Sequence, residues 1–369
     1  MMKSYFSKNI IDKPMSEDIT NISWRAPSNI ALIKYWGKRS IQLPDNGSLS
    51  ITLEKTSTIT TLSFKRKLRS EKNISFEYYF HGNRHPQFEK KTGRVLHELI
   101  SKMPFLTDYE LVFQSENNFP HSAGIASSAS SMSALALCLV SMEEIVNKKK
   151  LSKDVFFQRA SSIARIGSGS ASRSVYGGIV TWGNIPFIDP SSDDYATAYQ
   201  LPKESRLHQL MDIILIVSSE EKTVSSTSGH ALMNDHPYRE GRISQANSNI
   251  RNLIDAIRKE NYGLVGTIAE NEALSLHALL MTSSPEGLLL KPNTLHIIEA
   301  IKGFREKTGL DLFFTIDAGP NIHLIYFEDQ RENVLQFVQN TLVQYCENGH
   351  WIDDKIGNGP ELLTPEIAF

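Results

Sequence analysis

A run of small and apolar residues, Ala126–Val140, is the feature that most constrains how this chain can fold. The run contains no charged side chain and follows the Gly-containing turn His121–Ile125. A helix with no charged face is buried on all sides, so the run predicts a core helix packed closely on its neighbours. The chain of 369 residues is long enough to bury a large core without disulfides. Its length suggests two domains, or one fold with two lobes.

The rest of the pattern mixes strands and helices without regular alternation. Every second residue of Ile74–Phe80 is apolar, which predicts a strand, and Asp154–Arg165 has helical spacing behind the N-cap candidate Ser152. Further strands are predicted at Thr58–Phe64, Tyr109–Phe113, Asp212–Val217, Leu312–Ile316 and Ile322–Phe327, and further helices near residues 243–257, 264–281, 293–309 (capped by Asn293) and 332–345. This mixture predicts the α+β class, with an N-terminal extension over residues 1–20, one lobe over residues 21–200 and a second over residues 201–369.

The charge balance excludes several classes of protein. The chain has 39 Lys and Arg against 41 Asp and Glu, a net charge of −2, which excludes a strongly basic nucleic-acid binder. No apolar run approaches the length of about 20 residues that a membrane span needs, and residues 1–20 lack the continuous apolar stretch of a signal peptide. We therefore expect a cytoplasmic protein without nucleic-acid or membrane partners, in which Cys138 and Cys346 are buried free thiols.

The common nucleotide and metal signatures are absent from the sequence: there is no G-x-x-x-x-G-K-[ST] loop, no G-x-G-x-x-G after a strand, and no C-x-x-C or H-E-x-x-H pair. A different Gly/Ser segment, Asn117–Ser130, leads into the core helix. Gly124 permits a positive φ, and Ser127 and Ser128 stand where the first N–H groups of a helix have no helical partner. The segment is a candidate phosphate cradle, and an ordinary Gly/Ser helix entry fits the pattern equally well.

A second loop, Gly167–Gly178, surrounds Arg173 with glycines and serines. A guanidinium can bind a carboxylate or a phosphate through two parallel hydrogen bonds, and small residues around it can offer further donors. A flexible linker is the alternative, although linkers do not usually carry Arg, Val and Tyr at their centre.

Two lysines and one aspartate complete the candidate residues. Lys34 and Lys38 flank Tyr35-Trp36-Gly37 after an apolar strand and could bind an acidic group; a solvated strand end is the alternative. Asp317 begins an Asp-Ala-Gly-Pro-Asn turn between two strands, where Asp is often only a turn former. Two anion-binding loops, several cations and one carboxylate together suit phosphoryl transfer to a small acidic molecule.

These stretches resemble the mevalonate diphosphate decarboxylase family of the GHMP kinase superfamily. The resemblance covers residues 22–325. It rests on Ala26-Pro27-Ser28-Asn29-Ile30-Ala31 with Lys34-Tyr35-Trp36-Gly37-Lys38-Arg39, on Asn118-Phe119-Pro120 with Gly124-Ile125-Ala126-Ser127-Ser128-Ala129, on Gly167–Gly178, on Val224-Ser225-Ser226-Thr227-Ser228-Gly229, and on Thr315-Ile316-Asp317-Ala318-Gly319-Pro320-Asn321. It implies a two-lobed GHMP-kinase-like fold with the active site in the cleft between the lobes.

The resemblance also implies the reaction and the residues for it. ATP with Mg²⁺ phosphorylates the tertiary hydroxyl of mevalonate diphosphate, and phosphate and CO₂ then leave isopentenyl diphosphate. The implied catalytic residues are Asp317, Arg173 and Lys34; the substrate-binding residues are Asn29, Tyr35, Lys38, Ser168, Gly169, Ser170 and Ser226; and the ATP-binding residues are Gly124, Ala126, Ser127 and Ser128. No metal ligand from the protein is implied, because Mg²⁺ arrives with ATP, and the resemblance suggests a homodimer.

Some neighbouring positions differ from the family pattern. The differences lie at His121-Ser122, Asn46-Gly47-Ser48, Ser130-Ser131-Met132, Ser283–Gly287, and at His230, where the family usually has Met. They leave two alternatives open: a decarboxylase of the 5-monophosphate, and a small-molecule kinase that phosphorylates without decarboxylation.

Overall fold

Strands and helices of very different lengths make up the part of the chain that the structure describes. In this computed structural model the described residues are 19–69, 73–120, 125–220, 226–284 and 287–365. In chain order the strands are β1 (Thr20–Ile33), β2 (Lys38–Arg39), β3 (Leu43–Pro44), β4 (Ser48–Arg66), β5 (Ser75–Phe80), β6 (Asn83–Arg84), β7 (Tyr109–Asn117), β8 (Ile179–Gly183), β9 (Ser192–Ala198), β10 (Leu210–Leu215), β11 (Phe313–Ile316), β12 (Ile322–Phe327), β13 (Trp351–Lys355) and β14 (Glu361–Leu362). The helices are α1 (Pro86–Leu99), α2 (Ser127–Asn147), α3 (Lys153–Gly167), α4 (Ser226–Ala231), α5 (Arg239–Arg258), α6 (Tyr262–Met281), α7 (Pro292–Thr308) and α8 (Arg331–Phe337).

Two larger sheets organise these elements. Among the described residues the first has eight strands, in the order β14-β1-β4-β7-β5-β6, with β8 paired to β4 and β9 paired to β8. The second sheet has the order β11-β12-β10-β13. Only the pairing of β5 with β7 is parallel in these two sheets as described. Strand β14 returns from the end of the chain to pair with β1 at the edge of the first sheet. The predicted α+β class is confirmed, and the predicted boundaries of the extension and the lobes stay a prediction, because residues 1–18 lie outside the described part.

The predicted core helix is α2, which packs on β1 and β4 on one side and on α3 on the other. Its residues Leu135, Leu137 and Leu139 are fully buried in the core of the first lobe. By length and composition α2 could cross a membrane, but most of its apolar residues are buried inside this protein. Its small residues allow the close packing that the sequence indicated.

The second lobe packs α5, α6 and α7 on its four-stranded sheet. Phe313 of β11 and Ile325 of β12 face α6 in a core that also contains Ile30 and Leu32 of β1. This core therefore joins the lobes, because the last residues of β1 belong to the first sheet and pack on the second. The arrangement places the C-terminal end of β1 at the junction of the two lobes.

Several local predictions are confirmed and two are wrong. Ser152 caps α3, accepting a hydrogen bond from Val155 N–H at 3.4 Å, and Gly309 ends α7 with a φ of 68°. The N-cap of α7 is Lys291, not Asn293, because Pro292 already occupies the first helical turn. The predicted helix over 332–345 changes its winding after Phe337, passing through a π turn and a 3₁₀ turn. Helix α1 was not predicted.

Asp354 on β13 ties the second sheet to the first. Its fully buried carboxylate accepts hydrogen bonds from the backbone N–H groups of Glu54, Lys55 and Thr56 at 3.0, 2.8 and 2.7 Å, and from the Thr56 hydroxyl at 2.5 Å. These donors lie within β4, so a single side chain satisfies the backbone groups at this point of contact between the lobes.

We expect Asp354→Ala to lower the free energy of unfolding by about 3 kcal/mol, because it leaves buried N–H donors without an acceptor. Chemical denaturation followed by tryptophan fluorescence measures the change. Asp353→Ala is the control, since Asp353 forms more exposed ion pairs with Lys55 and Arg331 that contribute little. A loss below about 1 kcal/mol for Asp354→Ala would contradict this account.

Candidate active site

A cavity of about 410 Å³ lies between the lobes, where the end of β1 meets the start of α2, the segment after α3 and the turn between β11 and β12. Both lobes line it, as the predicted cleft requires. Among the residues that line it are the predicted Asn29, Lys34, Tyr35, Lys38, Ala126, Ser127, Ser128, Ser168, Gly169, Ser170, Arg173 and Asp317. Gly124 lies outside the described residues, and Ser226 is the first residue of α4, whose later residue His230 reaches the cavity.

Lys34 follows the last residue of β1 and is 2% exposed, so the alternative of a solvated strand end is wrong. Its Nζ donates to the Ala31 carbonyl and to the Thr315 hydroxyl, both at 2.7 Å. Burial lowers the pKa of Lys34 to about 8, while the nearby carboxylates of Asp317 and Glu272 act to raise it. The lysine is therefore a buried cation that loses its proton more easily than an exposed lysine does.

Arg173 is held in one orientation by partners on the first sheet. Its NH1 donates to the Ser48 hydroxyl at 2.6 Å, and its Nε and NH2 lie 3.4 Å from the Asn29 amide oxygen. The side chain is 3% exposed, and burial lowers its pKa to about 10, opposed by Asp317. Arg173 therefore remains charged at neutral pH, and both it and Asp317 line the cavity.

Asp317 stands at the turn from β11 to β12, where the sequence predicted it. Its backbone carbonyl accepts from Gly319 N–H at 2.8 Å and lies 3.0 Å from His277 Nε2 on α6. The turn and the helix thus hold the aspartate backbone. Because Asp317 acts on the pKa values of Lys34, Arg173 and His230, it forms the electrostatic centre of the cavity.

The segment after α3 is a buried 3₁₀ helix, Gly169–Val175, rather than a flexible linker. Gly169 is needed there, because a Cβ atom at this position would lie 2.9 Å from ring atoms of both Tyr35 and Trp182. The Tyr35 ring packs on Trp182 with the ring centroids 4.8 Å apart. Its hydroxyl is buried and, within the described part of the chain, has no hydrogen-bond partner, which leaves it available to a ligand.

The two Gly/Ser segments meet through their hydroxyl groups. Ser128 Oγ at the start of α2 lies 3.2 Å from Ser168 Oγ, which lies 3.3 Å from Ser170 Oγ. Ala126 has a φ of 49° and begins α2 without a side-chain cap, so the first N–H groups of this helix can face an anion. The geometry supports a phosphate cradle in direct contact with the second loop.

Lys38 and His230 line the cavity beside Tyr35. Lys38 Nζ donates to the Gln42 amide oxygen at 3.2 Å. His230 Nδ1 accepts from Gly37 N–H at 3.1 Å, and the ring stacks near Tyr35 and Trp36 at centroid distances of 4.2 and 4.6 Å. Burial, followed by the charge of Lys38, lowers the pKa of His230 to about 3. The ring is therefore neutral, and its proton is on Nε2.

Helix α1 contributes cavity residues that the sequence reading missed. Gln87, Phe88 and Lys91 line the cavity from α1, opposite Tyr78 and Phe80 of β5. Burial, followed by the charge of Lys38, lowers the pKa of Lys91 to about 8. A signal was present: Pro86 at the first position, followed by Thr92, Val95, Leu96 and Leu99 at helical spacing.

The cavity thus combines one carboxylate, several cations and a helix N-terminus with aromatic side chains at one end. Cations and oriented N–H groups neutralise the charge of phosphate groups. A carboxylate among them can orient a hydroxyl and accept its proton. The arrangement can bind two phosphorylated ligands side by side and transfer a phosphoryl group between them.

Comparisons with known proteins agree with this chemistry. Residues 26–189 match the model of the diphosphomevalonate decarboxylase-like N-terminal domain, and residues 212–361 match the mevalonate 5-diphosphate decarboxylase C-terminal domain. The diphosphomevalonate decarboxylase of Debaryomyces hansenii is 30% identical over 326 residues, which cover 84% of this chain and 79% of that protein.

Solved structures show the same similarity. The mevalonate diphosphate decarboxylase of Staphylococcus aureus is 28% identical, with a TM-score of 0.80 over 94% of this chain and 99% of that one. The protein MDDEF in complex with MVAPP, AMPPCP and magnesium is 27% identical, with a TM-score of 0.79 over 94% and 100% of the two chains.

Proposed function

The chain belongs to the diphosphomevalonate decarboxylase family, and from this premise we propose how its own residues carry out the reaction. The enzyme decarboxylates (R)-mevalonate 5-diphosphate at the expense of ATP and forms isopentenyl diphosphate, ADP, phosphate and CO₂. One observation carries the assignment of roles: Asp317 and the two buried cations Lys34 and Arg173 line one cavity, where the two hydroxyl-bearing segments meet.

In the first step, the 3-hydroxyl oxygen of the substrate bonds to the γ-phosphorus of ATP, and the bond from that phosphorus to ADP breaks. Asp317 orients the hydroxyl and accepts its proton. A carboxylate with an ordinary pKa of about 4 is a weak base for an alcohol, so the proton moves late, as the new bond forms. General-base assistance of this kind contributes about 10²–10⁴ in rate.

In the second step, the bond between the substrate carboxylate and the adjacent carbon breaks. Its electron pair forms the new double bond, and the phosphorylated oxygen leaves as phosphate. Arg173 holds the carboxylate, and its permanent charge keeps that group ionised, as CO₂ release requires. Lys34 neutralises the negative charge that builds up between Asp317, the phosphoryl group and the substrate.

Binding energy for this alignment comes from groups remote from the reacting carbon. We assign Tyr35, Lys38 and the segment Ser168–Ser170 to the substrate diphosphate, with Asn29 beside them. Ser226 is assigned to the same ligand on the strength of its motif alone. Interactions with the non-reacting part of a substrate can be used to position the reacting part.

ATP is assigned to the α2 side of the cavity, with Ala126, Ser127 and Ser128 at its phosphates and Gly124 in the same loop. Mg²⁺ prefers oxygen ligands, which the phosphates of ATP supply as the ion arrives with the nucleotide, and the Ser127 and Ser128 hydroxyls on this side of the cavity are compatible with it. When bound, Mg²⁺ supplies neutralisation of the phosphate charge. The neighbour MDDEF was solved with AMPPCP and magnesium, which supports ATP and Mg²⁺ for this chain.

The test measures ADP and CO₂ side by side with Mg-ATP and mevalonate, its 5-phosphate or its 5-diphosphate. We expect equal amounts of both products with the 5-diphosphate. Asp317→Asn should lower kcat by about 10²–10⁴ with KM largely kept. Asp311→Asn is the control, since Asp311 pairs with Arg206 outside the cavity. Normal turnover of Asp317→Asn, or ADP without CO₂ in the wild type, would overturn the assignment.

His230 gives a prediction about substrate choice. Because its Nδ1 is already bonded to Gly37, its only donor for a ligand is Nε2–H, beside Tyr35 and Lys38. We expect His230→Met to raise KM for the 5-diphosphate about tenfold, as loss of a hydrogen bond to a charged group predicts, with kcat little changed. His230→Gln, which retains a donor, should lose less. This prediction assigns the Nε2–H donor to the terminal phosphate of the 5-diphosphate, and an equal rise in KM for the 5-phosphate would contradict that assignment.

Two further proposals rest on the family resemblance: a homodimer and a cytoplasmic location. Light scattering at micromolar concentration should give about twice the chain mass of 41.5 kDa. A monomer by this measurement would remove the homodimer proposal.

A further inference from the structure

A buried ion pair outside the cavity, between Arg242 of α5 and Glu272 of α6, reaches the main chain of Lys34. The guanidinium and the carboxylate form two parallel hydrogen bonds, NH1 to Oε1 at 2.7 Å and NH2 to Oε2 at 2.5 Å. The two side chains are 2% and 0% exposed. Desolvation of such a pair offsets much of its Coulombic attraction, so stability alone is a weak reason for its presence.

The pair binds the main-chain groups of Lys34, which a neighbouring strand would bind if β1 continued. β1 ends at Ile33, which pairs with Leu49, so the main chain of Lys34 has left the sheet ladder. Glu272 Oε2 accepts from Lys34 N–H at 2.8 Å, and Arg242 NH2 donates to the Lys34 carbonyl at 3.3 Å. Asn46 Nδ2 donates to the same carbonyl at 2.9 Å. Both polar groups of the Lys34 main chain are therefore bound by side chains from outside the strand.

The hydrogen bonds to the Lys34 main chain fix the position of its Cα atom. The side-chain Nζ is held separately, by the Ala31 carbonyl and the Thr315 hydroxyl. The charges that act on the ammonium come from each surrounding element. Asp317 and Glu272 raise its pKa, while Arg173 and Arg242 lower it. Two histidines contact the neighbours of the lysine: His277 lies against the Asp317 carbonyl, and His323 is paired with Thr315 in the sheet. Glu272 and Arg242 act in opposite directions on the pKa of the lysine, with Glu272 the stronger, so each partner offsets part of the effect of the other.

We propose that the Arg242–Glu272 pair is a positioning device for Lys34, which holds the lysine main chain at the end of β1 and compensates the charge of one partner with the other. The role assigned to Lys34 rests on the proposed function, in which the charged lysine supports turnover. Neither Arg242 nor Glu272 lines the cavity, and among its described lining residues the pair hydrogen-bonds to Lys34 alone, so it acts on the site through Lys34.

The test is the pH dependence of kcat/KM, which reports the pKa values of the free enzyme. In the wild type we expect kcat/KM to fall above about pH 8 as Lys34 loses its proton. Glu272→Gln keeps the shape of the side chain and an acceptor for Lys34 N–H, but it leaves the charge of Arg242 uncompensated. The pKa of Lys34 then falls, and the basic limb of the profile moves down by about one pH unit. The loss of kcat/KM should be about tenfold at pH 9 and small at pH 6.5.

Glu270→Gln is the matched control. Glu270 lies on the same helix, is similarly buried and pairs with Arg305 at 2.6 Å, but it contacts the backbone of Phe314 rather than Lys34. It should destabilise the protein without moving the basic limb. The proposal would be overturned if the basic limb of Glu272→Gln lay at the same pH as in the wild type and its activity were reduced no more than that of Glu270→Gln.

A second readout separates this proposal from the assigned activity. NMR titration of lysine labelled with ¹³C at Cε, with Lys34→Met to identify the signal, follows the Lys34 pKa without any turnover. If the enzyme made no CO₂ but Glu272→Gln lowered this pKa, the assigned activity would fail and the positioning device would stand. If Glu272→Gln does not fold, the double variant with Arg242→Met and Glu272→Met decides. A kcat at least tenfold below the wild type at every pH supports the proposal, and a wild-type kcat overturns it.

Discussion

The buried ammonium of Lys34 sets the requirement on which the arrangement of the two lobes depends. A charged amine in the protein interior is unfavourable unless acceptors surround it. One acceptor, the Ala31 carbonyl, belongs to the first sheet, and the other, the Thr315 hydroxyl, belongs to the second. The cation is therefore satisfied only when the two sheets are correctly docked. The core shared by β1 and α6 and the contact of Asp354 with β4 maintain that docking.

The same docking brings the two ligand-binding segments together. The start of α2 and the 3₁₀ segment after α3 come from one lobe, while Asp317 comes from the other. The hydroxyls of Ser128 and Ser168 lie 3.2 Å apart, so phosphate groups on the two sides would be in close proximity. Phosphoryl transfer depends mainly on such positioning and on charge neutralisation, with little covalent chemistry from the protein. The fold therefore contributes to catalysis chiefly by bringing these segments to one place.

The sequence predicted those parts whose signals are local. The core helix, the Ser152 cap and the strand–turn–strand around Asp317 depend on neighbouring residues, and the structure has them at the predicted places. The motif residues were found by resemblance. Their roles stay predictions, although twelve of the predicted site residues line one cavity.

What the sequence did not predict depends on contacts between distant segments. The Arg242–Glu272 pair joins two helices to the end of β1, more than 200 residues earlier in the chain, and no spacing rule indicates such a contact. The 3₁₀ winding of Gly169–Val175 was not predicted either, and it brings Gly169 against the rings of Tyr35 and Trp182, which lie elsewhere in the chain. Helix α1 is different, because its signal was local and was overlooked.

The electrostatics of the cavity explain why so many cations can share it. Burial lowers the pKa values of Lys34, Lys91 and Arg173, and His230 is held neutral. Each lowered pKa means that the charged form is under-compensated in the protein alone. Anionic ligands supply the missing negative charge, so their binding relieves this repulsion and favours the charged forms. The carboxylate of Asp317 alone cannot balance the cations around it, and this imbalance is what gives the cavity its affinity for phosphorylated ligands.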